Sequence, residues 1–276
     1  MGMNGGQRAA IAPVGNAVAD VLNVAFWALL FLAAVLSVVL TWGIIQLLGA
    51  GVIIPDAAMG SMAAARDWFI NDLLADQNWL VAGISIILVI VGFVSVLMVL
   101  CHGLVANVFL LPIYARKVPL ARLSRDHGVE FGPGPSRLSI LGRVIAWQAL
   151  LLLVMVVASP VFAIPVIGWL AFAVVAAFIA GKMYTSITLS YLPRDVAERV
   201  GRDLGNKAIL GSFSGITILL IAATLVTGLL STIPMIGFLF MAVTILIFLS
   251  VPWLQFSVAA NLVVRTAIAE NRSRTD

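Results

Sequence analysis

The charged residues fall in clusters. Between the clusters lie four apolar runs without a single Asp, Glu, Lys or Arg: residues 21–55, 77–115, 144–181 and 208–264. The core of the first, AFWALLFLAAVLSVVLTWGIIQLL, has the length of one membrane-spanning helix, which needs about 20 consecutive apolar residues. The second contains WLVAGISIILVIVGFVSVLMVL and continues through CHGLVANVFLLPIYA, which extends or kinks the same helix. The fourth is far too long for one crossing.

The polar segments between the runs set the topology. Residues 51–78 carry Asp56, Asp67, Asp72 and Asp76 against Arg66 alone. Residues 116–143 carry Arg116, Lys117, Arg122, Arg125, Arg137 and Arg143 against Asp126 and Glu130. Residues 182–207 carry Lys182, Arg194, Arg199, Arg202 and Lys207 against three acids, and the C-terminal segment adds Arg265, Arg272 and Arg274. Lys and Arg near membrane ends stay in the cytoplasm. The acidic segment is therefore expected outside, and the basic segments and both termini inside. The third and fourth runs then start and finish on the cytoplasmic side, so each is expected to be a helical hairpin. The arm from Val144 to Ser159 spans about 24 Å at 1.5 Å per residue, against a hydrocarbon core of about 30 Å. That length leaves full crossing and re-entrance both open.

The expected architecture is an all-α integral membrane protein with two long transmembrane helices, two membrane-inserted hairpins, fully crossing or re-entrant, and short interfacial helices. Residues 1–20, small and polar, are expected to be a flexible N-terminal segment. Residues 21–266 form a single membrane domain. Within it lie helix 1 (about 21–50), an outer amphipathic segment (55–78), helix 2 (about 79–115), a cytoplasmic basic loop (116–143), hairpin one (144–181), an amphipathic connector (182–207) and hairpin two (208–264). Residues 267–276 are a polar C-terminal tail. In the connector, Val196, Val200 and Leu204 share one helical stripe while Arg194, Glu198 and Arg202 lie off it, the spacing of a helix lying on a membrane, on a neighbour, or in solvent as a plain linker. FGPGPSR, residues 131–137, alternates Gly and Pro and is expected to be a loop.

One phrase occurs twice. FAIPVIGWLA in the third run and STIPMIGFLF in the fourth align Pro165 with Pro234, Gly168 with Gly237 and Trp169 with Phe238. Pro is favoured at the first helical position, where its missing N–H costs nothing. Each phrase is therefore expected to begin the second arm of a hairpin, at membrane depth. The free N–H groups and positive dipole end of such a helix must meet protein, water or an anion. Two readings follow: Pro165, Gly168, Pro234 and Gly237 flank an anion path, or they make tight turns between packed helices.

Composition removes several function classes. The chain is 62% hydrophobic and only 10% charged, which excludes an ordinary soluble domain. The net charge of +4 is scattered between apolar runs, so no nucleic-acid-binding face is expected. The basic belt of Arg116, Lys117, Arg122, Arg125, Arg143, Lys182 and Lys207 first sets topology, and it also attracts anions. The single cysteine, Cys101, allows no internal disulfide, and its neighbour His102 points elsewhere on a helix, so no metal site is expected. No HExxH, nucleophile elbow, Walker A motif or paired intramembrane carboxylates occur; the chain is not expected to be an enzyme or to hold a cofactor. The intramembrane polar residues Gln46, His102, Asn107, Gln148, Gln255 and Asn261 are expected to hydrogen-bond between helices.

The order of four stretches resembles the bacterial branch of the etoposide-induced membrane protein family, which includes the CysZ-type sulfate permeases. They are ARDWFINDLLADQNWL, LLPIYARKVPLARLSRDHG, the segment from IPVIGWLAF to YLPRDVAERV, and STIPMIGFLF with the apolar arm after it, together covering roughly residues 25–266. The resemblance implies two long transmembrane helices with two inserted hairpins, a homo-oligomer in the bacterial cytoplasmic membrane, and passage of sulfate or another small anion. The permeases carry a Gly-Leu-Arg-type segment before the first membrane helix. Here that region reads APVGNAVADVLNVAF, with no arginine between Arg8 and Arg66, so no sulfate ligand carries over. A small-anion permease and a non-transporting membrane scaffold of the same fold are the two functional expectations.

Overall fold

The computed structural model describes residues 5–49, 100–157, 167–231 and 237–275, with positions 94, 97, 98 and 233. The outer segment 55–78, most of the first half of helix 2, and both Pro165 and Pro234 lie outside the described residues. The described residues are helical, with no strand among them. Among the described residues nine α-helices follow one another: α1 Gly5–Asp20, α2 Val24–Gly49, α3 Leu111–Lys117, α4 Pro119–His127, α5 Arg137–Val157, α6 Ile167–Leu189, α7 Arg194–Asp203, α8 Asn206–Leu230 and α9 Gly237–Thr275. A π-helical segment, Val105–Leu110, leads into α3. Among the described residues four stretches are long and apolar enough to cross a membrane: Val24–Leu48, Leu100–His127, Asn206–Leu230 and Gly237–Ala269.

The chain divides into two compact units. In the larger, residues 1–32 and 106–276, α9 is the centre. Between Trp253 and Val264 every residue of α9 but Gln255 is buried, so this stretch is enclosed on all sides. It packs against α1, α3, α4, α6, α7 and α8. Its rings organise an aromatic core. Trp253 stacks at a tilt on Tyr114 at 4.8 Å and meets Phe26 edge-on at 5.9 Å. Phe256 is approached edge-on by Tyr114, Tyr184 and Tyr191 at 6.3–6.5 Å. Such pairs contribute about 0.5–1.5 kcal/mol each beyond their buried area.

The other halves of α8 and α9 are different. From Ile221 to Leu230 and from Phe238 to Leu249 no residue is buried, and Ile218, Leu225, Leu229, Phe238 and Leu246 are exposed. In water such surface would aggregate; in lipid it is the solvated side. The two helices are stitched there by the Thr244 hydroxyl, which donates to the Thr227 hydroxyl at 2.7 Å. At 25 residues α8 is about 38 Å long, enough for a bilayer core.

In the smaller unit, residues 33–105, part of α2 meets the helical segment that includes residues 100–104. Ser37 and His102 are buried and bonded at 3.2 Å. The Ser37 O–H also donates to the Ala33 carbonyl at 2.5 Å.

The described helices fall within the expected segments as follows. In residues 1–20, α1 runs from Gly5 to Asp20 through Pro13, with Ala17 and Asp20 buried. Its glycines and proline argue against a helix locally, but packing on α8 and α9 decides. In the basic segment 116–143, residues 128–136 lie between helices. Pro119 starts α4, Gly128 ends it in the left-handed region at φ 65°, and Leu120 and Leu123 are buried beneath it. In the connector 182–207, α6 runs on to Leu189 and α7 occupies Arg194–Asp203. In residues 267–276, α9 continues to Thr275.

Candidate functional site

The basic belt is where charge meets polar geometry. Pro112 and Pro119 open α3 and α4, a break at Val118 turns one into the other, and the turn presents Arg116, Lys117, Arg122 and Arg125. Arg116, Lys117 and Arg125 are exposed. The Arg116 guanidinium donates to the Pro133 carbonyl, pinning the loop back over α3 and α4. Between them lies an open depression of about 530 Å³ lined by Arg116, Leu120, Ser124, Phe131 and Pro133.

The floor of that loop is Tyr191. Its backbone carbonyl accepts from the Gly132 N–H at 2.7 Å. Gly134 has φ 76°, and a Cβ there would lie 2.2 Å from the Tyr191 ring, so only glycine fits. The Tyr191 hydroxyl is buried without a hydrogen-bond partner among the described residues. Burial pushes its ionisation up to about 12, partly offset by the Arg116 charge.

Arg122 is the most heavily bonded of the belt. Its Nε donates to Asp20 Oδ1 at 2.8 Å, and one terminal nitrogen reaches Asp20 Oδ2 at 3.3 Å and Asn261 Oδ1 at 3.2 Å. Asn261 donates to the Ser257 carbonyl, and the Ser257 and Tyr114 hydroxyls meet at 2.6 Å. Three helices, α1, α4 and α9, are tied by this chain, with α3 joined through Tyr114. Arg143 on α5 caps the end of α6, donating to the Ser186 carbonyl and the Ser190 hydroxyl, each at 2.6 Å. A cation there also complements the helix dipole. Lys182, half-buried, lies over the Phe178 ring at 5.6 Å from its centroid, and Lys207 is exposed at the start of α8. Arg116, Arg137, Arg143 and Lys182 form no ion pair with a carboxylate among the described residues.

Of the repeated phrases, Gly168 lies in α6 and Gly237 in α9, while the residues before them, 158–166 and 234–236, lie outside the described residues. The Gly237 N–H donates to the Ile233 carbonyl at 2.8 Å, and a Cβ on Gly237 would lie 2.1 Å from the Ser231 carbonyl oxygen. At this copy the glycine serves a close crossing of backbone over backbone, and its own N–H is engaged. Gly168 and Gly237 do not line the depression beside Arg116.

Of the intramembrane polar residues, His102 meets Ser37, Asn107 accepts from the Tyr184 hydroxyl at 2.7 Å, and Asn261 accepts from Arg122. Gln46 and Gln148 are exposed. Cys101 is buried, and no group of three or more potential metal ligands occurs among the described residues. Sequence reasoning missed Asp20, which carries no local signal, and Tyr191, whose role depends on a glycine 57 positions earlier in the chain (191 against 134).

Fold and site together define a class: an all-helical protein with four helices fit to cross a membrane and a basic, hydrogen-bonded end. No family model, no curated protein and no solved structure matches the chain.

Proposed function

We propose that the chain is a multi-pass bacterial inner-membrane permease or channel for a small anion such as sulfate, of the CysZ-like kind. The observation that carries this reading is the surplus of positive charge at the basic end. Arg116, Arg137, Arg143 and Lys182 have no carboxylate partner among the described residues, and Arg143 and Lys182 are half-buried. Partly desolvated cations without counter-charges raise the local concentration of anions. In this reading the belt, both termini and the roots of the α5–α6 and α8–α9 hairpins are cytoplasmic, and the protein is a homo-oligomer in the bilayer. The helix starts at Gly168 and Gly237, with the adjoining Pro165 and Pro234, flank the path.

Flux into proteoliposomes tests the proposal, comparing sulfate, chloride and an organic solute. Saturable uptake that favours sulfate is expected, with Arg143→Gln lowering it. Absence of saturable or selective flux at high protein load overturns the permease and leaves a membrane scaffold of the same fold.

A further inference from the structure

Arg122 differs from the other belt cations in that its counter-anion is supplied from within the chain. The guanidinium fork meets both oxygens of one planar oxyanion, Asp20, at 2.8 and 3.3 Å. Asn261 holds the guanidinium from the opposite element at 3.2 Å, and Asp126 stands off at 4.0 Å. Exposure is unequal: the Arg122 side chain is 27% exposed and the Asp20 side chain 2%. The carboxylate is thus the inner partner, and the cation is reachable from outside. Asp20 sits at the last position of α1, directly before the turn Val21–Asn23. Elsewhere α1 packs on α9 and on α8, where Val14 lies over Gly215, and its Asn16 carbonyl accepts from Arg122 at 3.5 Å.

We propose that Arg122, positioned by Asn261, is an oxyanion-binding site that Asp20 occupies in this conformation, and that an incoming oxyanion exchanges with Asp20 and frees the end of α1. The ligand chemistry is a sulfate- or phosphate-type group with two oxygens in the plane of the guanidinium. Its source is either a free anion or an anionic lipid headgroup. Exchange is the accessible route because stripping a partly buried guanidinium of its closest anion, with Asp126 at 4.0 Å the other carboxylate near it, is unfavourable. Replacing one anion by another never leaves the cation bare, and the released carboxylate returns to water. As a gating device the site rests on the permease reading; as a binding site it stands independently.

The full chain carrying Cys101→Ala and Val18→Cys is labelled with an environment-sensitive fluorophore, since Val18 is an exposed position of α1 (43%). Sulfate is titrated against gluconate at constant ionic strength in lipid-free detergent. In parallel the protein is placed in phosphatidylglycerol and in phosphatidylcholine nanodiscs without sulfate. A saturable sulfate response assigns a free anion, and a shift only in phosphatidylglycerol assigns a headgroup. Asp20→Asn is expected to show the shifted signal without ligand and to bind the same ligand about tenfold more tightly, because the internal competitor is gone. Arg122→Gln is expected to abolish the response. If Asp20→Asn does not fold, Asp20→Glu, whose longer arm misfits the fork, is expected to bind more tightly than the parent. No response to either ligand, equal affinity in the Asp20 variants, or an unchanged response in Arg122→Gln overturns the site. Binding without flux in proteoliposomes overturns the permease alone; selective flux with no response at Val18 overturns this site alone.

Discussion

At the scale of single residues, the loop over Tyr191 makes the sharpest demands. Gly134→Ala forces a Cβ into the ring at 2.2 Å and into a positive φ at once. The expected cost is about 2–4 kcal/mol, read as a lower midpoint of thermal unfolding in detergent. Tyr191→Phe removes a hydroxyl that has no partner among the described residues, so stability should change by less than about 0.5 kcal/mol in either direction. The same hydroxyl sets an alkaline limit. Its ionisation is pushed up to about 12 in the folded chain from the ordinary tyrosine value of 10.0. The folded state therefore holds a proton that the unfolded chain has lost between those values. This contribution to stability is complete below pH 10.0 and declines as pH rises toward about 12. Tyr191→Phe should flatten that decline in an alkaline unfolding series. Gly134 could be assigned to a loop from the alternation of Gly and Pro around it. That a tyrosine packs on it could not, because nothing local to either residue marks the other.

At the scale of elements, the helices with long apolar runs were legible and the ones held by tertiary contacts were not. The runs behind α2, α8 and α9 announce spanning helices because lipid demands an unbroken apolar stretch, and that demand is written locally. α1 has Gly, Asn and Pro inside it, and what keeps it helical is packing plus Asp20 on Arg122, a partner 102 residues away. The sharp ends of α4 were signalled by Pro119 and Gly128, yet the stretch reads as loop because three basic or histidine side chains, Arg122, Arg125 and His127, crowd nine residues. Element joints give testable energies. Arg143→Gln loses the charged cap on the last turn of α6 and should cost about 1–2 kcal/mol, measured by unfolding, with Arg143→Lys recovering part of it. In a double-mutant cycle, Thr227→Val and Thr244→Val should couple by about 0.6 kcal/mol, the usual worth of a hydrogen bond between membrane helices. A coupling near zero would mean that the arms are held by packing alone.

At the scale of the whole molecule, orientation is the property most open to direct measurement. Ser136 in the loop and Lys207 at the head of α8 are both exposed. In a Cys101→Ala background, single cysteines at these positions should both react with a membrane-impermeant thiol reagent in inverted vesicles and neither in intact spheroplasts. Reaction of the two from opposite sides would overturn the cytoplasmic rooting of the hairpins. The expectation of this orientation comes from the charge clusters, since each basic segment stands between apolar runs. They did not reveal which cations are spent on structure. Arg122 is spent on Asp20 and Arg143 on a helix end, whereas Lys117, Arg125 and Lys207 remain exposed.

The enclosed stretch of α9 has a consequence for how the molecule is made. α1, α3, α4, α6, α7 and α8 all pack on a helix that follows them in the chain. A ribosome delivers them to the bilayer before their common support exists. Each must therefore wait in lipid or at its surface, held by its own hydropathy, until residues 253–264 emerge. Chains stopped ahead of Trp253 should accordingly insert but remain open to protease at the joints between helices, and resistance should appear abruptly once Val264 is included.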